Sequence, residues 1–427
     1  GGIVSRLPAD MVTVPGAMAL GHLPEEDIRE MARITARQLL DVGINVNFAP
    51  TVDVNNNPAN PVIRTRAFGE TVEIVTRAAL ATIRGFTDEG LIATVKHFPG
   101  HGDTNVDSHL GLPVIDHPVE RLRAVELAPF RAAIDAGVPA VMSAHIVFPA
   151  LDEHPATLSR RILTGLLREE MGFEGIIFTD SMSMDAIATR YGAADSTVRA
   201  KAAGVDVLES NETPAQIAER HAALVAAMED GRLPVELFEA TERRLTALRE
   251  RFAVGARRPS SRPDGSMRDR AREVATRTIR TFGEKAFRPL EPGKRTVVVD
   301  FQRLRASEAE DPFNRAGIVR DGLATRRPDI RVVTLGHQPT EDQIAAAREA
   351  VQDAEVLVIM TRDATDNAYQ VAIARDLIAR ARPSRVVHVA LRGPYDAGIL
   401  GDVDDTLLTY GDPAVTLEAL VERLTLG

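Results

Sequence analysis

In the first 250 residues, short apolar runs alternate with longer amphipathic stretches. Strand-like runs fall at 45–50, 91–95, 140–144, 175–179 and 204–208, and helical patterns at 25–42, 70–89, 117–136 and 159–171. Continuous apolar strands divided by long helices predict a parallel sheet covered on its faces. Nearly every run gives way at its C-terminal end to polar or Gly/Pro residues, among them Lys96-His97, His145 and Asp180. A (β/α) barrel gathers its chemistry at that end of the strands. An open doubly wound sheet would collect ligands there too, but no Gly-rich phosphate loop follows an early strand. The pattern therefore favours an α/β fold of the (β/α)8 TIM-barrel type. Five visible strands are fewer than eight, and the chain opens on Gly1-Gly2-Ile3-Val4, so the opening strands are expected upstream of Gly1.

From 254 to 264 the sequence reads Val-Gly-Ala-Arg-Arg-Pro-Ser-Ser-Arg-Pro-Asp, a Pro/Ser/Arg-rich break with the character of a linker. A helix pattern over 267–287 follows, then Pro289, Pro292 and Gly293. Further apolar runs at 296–300, 332–335, 356–360 and 386–390, each flanked by a helical stretch, predict a three-layer α/β sandwich. The expected division is a catalytic barrel over 1–253, a linker and connecting helix over 254–292, and the sandwich over 293–427.

Composition narrows the function classes. A chain of 427 residues is comfortable for two domains. Lys+Arg 51 against Asp+Glu 61 gives a net charge of −10, which argues against a broad nucleic-acid surface while leaving room for a local basic pocket. No apolar run approaches the eighteen or so residues that a membrane helix needs. With Cys at 0 there is no disulfide, thiolate nucleophile or cysteine metal site. Trp is 0 and aromatics are 4%, thin for a polysaccharide cleft built on stacking platforms.

The densest polar cluster is Lys96-His97-Phe98-Pro99-Gly100-His101-Gly102-Asp103-Thr104-Asn105-Val106-Asp107-Ser108-His109. Its plain reading is a solvated loop with surface histidines. A basic pair directly at a strand end favours function instead. His97, His101 and His109 are formal metal candidates, but their spacing matches no familiar zinc pattern, and no metal or other cofactor is expected.

This stretch resembles the signature loop of glycoside hydrolase family 3, in its β-N-acetylglucosaminidase branch. The resemblance extends to Gly1-Gly2-Ile3-Val4-Ser5-Arg6, to Asn47-Phe48-Ala49-Pro50 up to Asp53, and to Asn60-Pro61-Val62-Ile63 with Arg66-Ala67-Phe68-Gly69. It continues through Gly172-Phe173-Glu174-Gly175-Ile176-Ile177-Phe178-Thr179-Asp180-Ser181-Met182-Ser183-Met184, and more weakly to Tyr410-Gly411-Asp412. It implies that Asp180 is the nucleophile of a retaining glycosidase. On the residues alone, Asp180 could equally cap the helix pattern that follows it. The resemblance further implies that His109 is the general acid/base and that Asp107 orients its ring, a sensible pairing because imidazole titrates near neutrality. Arg6, Arg66, Lys96 and His97 would hold sugar hydroxyls and the acetamido group. A surface ion pair with Glu70 is the alternative for Arg66. Asp53 and His145 are further strand-end candidates, and Asp53 could instead orient a loop through backbone N–H groups. The family's acidic residue before the Gly-Gly pair would lie ahead of Gly1.

The expected activity is that of a retaining exo-β-N-acetylglucosaminidase on GlcNAc-containing glycans such as cell-wall muropeptides, with a carbohydrate as its only expected ligand. The alternatives are a phosphorylase sharing the same first step, and a non-catalytic sugar-binding module.

Overall fold

The computed structural model describes residues 11–106, 111–255, 265–302 and 316–426. They form two compact units, Pro24–Arg262 and, as one body, Gly1–Leu23 with Pro263–Gly427.

In the first unit, β1 (Val46–Asn47), β2 (Ile92–Phe98) and β3 (Ala140–Ser143) lie side by side. An antiparallel ribbon of β4 (Val147–Phe148) and β5 (Asp152–Pro155) comes next in the chain, and β6 (Ile176–Phe178) then completes a parallel sheet in the order β1-β2-β3-β6. These strands are short because each ends in the loop it feeds. At β1, Ala49 N already turns back onto Asn47 O at 2.8 Å. The run at 204–208 adds a single bridge, Val207 to Phe178, rather than a strand. Its backbone is diverted there, since the amides of Asp206 and Val207 share the Ile177 carbonyl.

One face of the sheet packs Ile92, Ala140, Met142, Ile176 and Phe178 together, with Leu245, Leu248 and Phe252 against them. Outside, helix Glu25–Asp41 crosses helix Val72–Glu89 at Gly85, where a Cβ would lie 2.5 Å from Arg29 O. Only glycine permits that approach. The helix expected over 117–136 is broken into Val119–Ala124 and Ala128–Asp135. Pro129 starts the second piece, and Glu126 in the break turns inward onto Arg121. The stretch at 159–171 forms a π-wound helix, Arg161–Glu170.

The second unit holds β7 (Arg280–Thr281), β8 (Thr296–Phe301), β9 (Arg331–Leu335), β10 (Val356–Thr361), β11 (Arg385–Ala390) and β12 (Asp405–Leu408). The order is β7-β12-β11-β10-β8-β9, with β7 alone antiparallel. Val358 pairs with Val298 on one side and Val387 on the other, an apolar middle of the kind buried parallel strands favour. The segment before Leu23 belongs with this sheet, although the sequence pattern groups it with the barrel. Met18 and Ala19 pack on Ala390, Leu408 and Tyr410, and Thr13 Oγ1 accepts the Val415 amide at 3.1 Å. On the other side the two units divide between Arg262 and Pro263.

Candidate active site

β2 delivers the central residues. It is buried along its length except at Lys96, and its pairing with β3 shifts register between Val95 and Phe98, so strict alternation of sides is not kept at Lys96-His97. Asp53, 1% exposed, organises the end of this strand and the turn beyond it. Its Oδ1 accepts the backbone amides of His97 (3.1 Å) and His101 (2.8 Å), and its Oδ2 accepts His97 Nδ1 at 2.7 Å. Burial opposes the charge on Asp53, yet His97 beside it outweighs that and keeps the carboxyl below its ordinary range. Asp53 thus accepts backbone N–H groups from the loop that follows β2.

With Nδ1 donating to a carboxylate, the tautomer of His97 is set and Nε2 carries the lone pair. Nε2 lies 3.8 Å from Asp180 Oδ2, and Arg66 Nη2 approaches it at 3.5 Å. Burial lowers the pKa of His97, so the ring is neutral at pH 7. Arg66 is steadied by the Val62 carbonyl at 3.1 Å, within the turn Arg64–Arg66. Lys96 is pushed down to about 8, first by burial and then by the like charge of Arg66, with Asp180 opposing.

Asp180 follows β6, and its amide is held by Ser143 O at 3.2 Å. Its Oδ1 accepts the Ser181 amide at 2.9 Å. The next helix, Asp185–Ala203, has Met184 at its N-cap, so Asp180 does not cap it. The side chain keeps 23% exposure. Burial pushes its pKa up, but His97, His145 and Lys96 together more than reverse this and hold it well below the usual carboxylate range. His145 braces the residue after it: Nε2 donates to Ser181 O at 2.9 Å while Nδ1 meets Thr157 Oγ1 at 2.9 Å. A permanently ionised carboxylate, partly open, among an imidazole, an ammonium and a guanidinium suits attack on an electrophilic carbon. Arg6, Asp107 and His109 lie outside the described residues.

The turn after β2 is built by close approach. Asn60 Nδ2 donates to His101 O (2.8 Å) and Gly102 O (2.9 Å), and a Cβ on Gly102 would fall 1.7 Å from Val54 O. Neither backbone can yield. Gly102→Ala is therefore expected to lower stability by about 3 kcal/mol, read from denaturant midpoints, and to spoil the Asp53 contacts next to it. A variant with an unchanged midpoint would contradict this packing.

His101 faces Thr104 Oγ1 at 2.9 Å, and its ring meets that of His97 edge-on. His101 in the first unit and His388 in the second are both buried, which pushes each down to about 4. Between that value and the unfolded 6.5, the unfolded chain binds protons that the folded chain excludes. Stability is then complete above pH 6.5 and falls on acidification towards pH 4, by up to about 3 kcal/mol per group. Calorimetry across this range should show falling transition temperatures; a flat profile would refute the assignment.

Asp103, His117 and Glu126 bring potential metal-ligating atoms within 4.8 Å of one another. Arg121 Nη1 already bonds both Glu126 oxygens (2.9 and 2.8 Å), and His117 Nε2 bonds Asp103 Oδ2 at 2.7 Å. Glu209 is a site residue that sequence reasoning missed. It lies just beyond Val207, and its amide bonds Thr179 Oγ1 at 2.9 Å. The signal available was its place at the end of the run at 204–208.

The sequence profile of the glycosyl hydrolase family 3 N-terminal domain matches residues 1–248. A beta-hexosaminidase A from Pseudoalteromonas piscicida is 31% identical over 429 residues, covering 95% of this chain and 66% of its own length. The chain spans about 60–66% of the curated relatives it matches. A family 3 β-N-acetylglucosaminidase structure from Paenibacillus sp. str. FPU-7 superposes with a TM-score of 0.93 at 37% identity, covering 100% of this chain and 82% of that one. A β-glucoside phosphorylase structure, at 20% identity and a TM-score of 0.80 over 98% of this chain and 78% of its own, shares the fold.

Proposed function

This chain belongs to glycosyl hydrolase family 3, and from that membership we propose that it is a retaining exo-β-N-acetylglucosaminidase releasing terminal β-linked GlcNAc, with peptidoglycan fragments as substrates. The observation that carries the reading is Asp180: an ionised, partly open carboxylate 3.8 Å from a neutral His97 whose tautomer Asp53 sets. In this reading the Asp180 carboxylate attacks the anomeric carbon while His109 gives its proton to the departing oxygen. His109 then takes a proton from water, which attacks the same carbon and frees Asp180, so the product keeps its configuration. Asp107 orients His109. Arg66 and Lys96 serve the sugar as donors and His97 Nε2 as an acceptor, the family resemblance adds Arg6, and His145 holds Ser181 so that Asp180 stays aimed. Architecturally, the reading assigns the sheet-bearing part of 24–253 to a TIM-type barrel, 254–292 to a linker and connecting helix, and 293–427, together with the segment before Pro24, to a three-layer sandwich.

The test is the first product. With an aryl β-GlcNAc substrate, proton NMR should show β-GlcNAc before mutarotation, and the aryl β-glucoside should turn over far more slowly. Formation of α-GlcNAc first would overturn the retaining route.

A further inference from the structure

Glu209 lies two residues past the Val207–Phe178 bridge, as Asp180 lies two residues past Phe178, so the two acids follow the same point of contact. The Ser181 amide binds Asp180 Oδ1 at 2.9 Å and the Glu209 amide donates to Thr179 Oγ1 at 2.9 Å, so the two acids leave adjacent chain segments. Glu209 O also accepts the Met182 amide at 2.9 Å, which ties its backbone to the segment carrying the nucleophile. Glu209 is half-buried and within electrostatic reach of both Asp180 and Lys96. The next acid, Glu212, is by contrast neutralised by Arg220 at 2.5 and 2.6 Å.

We infer that Glu209 selects the acceptor, screening the glycosyl-enzyme against anionic nucleophiles such as phosphate so that water is the one that attacks. The inference rests on the reading of Asp180 as the nucleophile. Before attack, the mouth carries the charges of Asp180 and Glu209 against those of Lys96 and Arg66. Once Asp180 becomes an ester its charge is gone, and Asp53 is committed to His97 and to the His101 amide. Lys96 and Arg66 alone would then draw an anion in. Burial raises the pKa of Glu209, and the neighbouring Asp180 charge adds to that rise. Esterification removes the Asp180 charge, so Glu209 is the acid left to oppose Lys96 and Arg66 at the step where the acceptor is chosen.

Two acceptors compete at that step. Water adds its oxygen to the anomeric carbon, gives up a proton to the base and releases the Asp180 carboxylate. Phosphate adds one of its oxygens to the same carbon, releases the same carboxylate and leaves as the sugar 1-phosphate. The experiment measures this partition with an aryl β-GlcNAc substrate at fixed inorganic phosphate. Because both products come from one intermediate, their ratio is independent of how much enzyme is active. Glu209→Gln should raise the ratio of sugar 1-phosphate to free sugar at least about tenfold, and Glu209→Asp should bring it back towards that of the unsubstituted protein. In the unsubstituted protein, methanol, a neutral acceptor, should capture more of the intermediate than phosphate at equal concentration; this holds even if a variant fails to fold. An unchanged ratio in Glu209→Gln, or capture by phosphate equal to that by methanol, overturns the inference while leaving the glycosidase reading standing. Absence of any sugar product from the unsubstituted protein overturns both.

Discussion

Asp180→Ala should abolish turnover of every β-GlcNAc substrate, with a fall in kcat on the order of 10^5-fold, the scale seen when a covalent nucleophile is removed. The loss should not depend on the leaving group, because no degree of leaving-group activation replaces the atom that forms the bond. Removing this carboxylate also takes away the negative charge that offsets burial at Lys96 and His97. The lysine is then expected to lose its proton at lower pH than its present value of about 8. Steady-state assays with aryl glycosides spanning a range of phenol acidities are the measurement. A variant retaining turnover on dinitrophenyl β-GlcNAc would remove Asp180 from the reaction.

His109→Ala should behave differently. Turnover of poor leaving groups should fall by about 10^2–10^4-fold, the usual share of a general acid. A dinitrophenolate leaves without a proton, so the first step should survive while hydrolysis of the intermediate slows, giving a burst. Azide needs no base and should restore turnover; its single charge meets less repulsion from Glu209 than phosphate would. Equal losses on good and poor leaving groups, with no response to azide, would take the acid/base role away from His109.

Much of this site could be read from the chain alone, because strand-end positions are marked by apolar runs giving way to polar residues. Lys96, His97, His145 and Asp180 all obey that rule, and the structure brings them together. What a side chain bonds to was less legible. Asp53 could be a ligand to substrate or a brace for a loop, and its two amide contacts, which no sequence pattern shows, favour the brace. Glu209 follows the run at 204–208 directly, so the strand-end rule pointed to it as well, although the run makes only a single bridge. The break in the helix expected over 117–136 arises from Glu126 pairing inward with Arg121, a choice made by tertiary burial against local periodicity. β12 was missed because its first residue is Asp405, whose charge is cancelled by Arg385 on the adjacent strand. β7 is too short to register as a pattern.

The docking of Met18 and Ala19 on the second unit bears on the order in which the polypeptide can mature. Thr13 and Val415, joined by a hydrogen bond, stand 402 residues apart in the chain. During synthesis the strip around Thr13 leaves the ribosome long before Ala390, Leu408 and Tyr410, the surface that it covers. At about 5–20 residues per second, it waits tens of seconds for that surface to exist. Meanwhile Pro24–Arg262 is already complete and free to fold. Closing so long a loop costs little more entropy than closing one half its length, because the penalty grows only logarithmically. The delay is therefore one of availability rather than of energy: what is made first is fastened last, and the second unit cannot be finished by a ribosome that stalls before Val415.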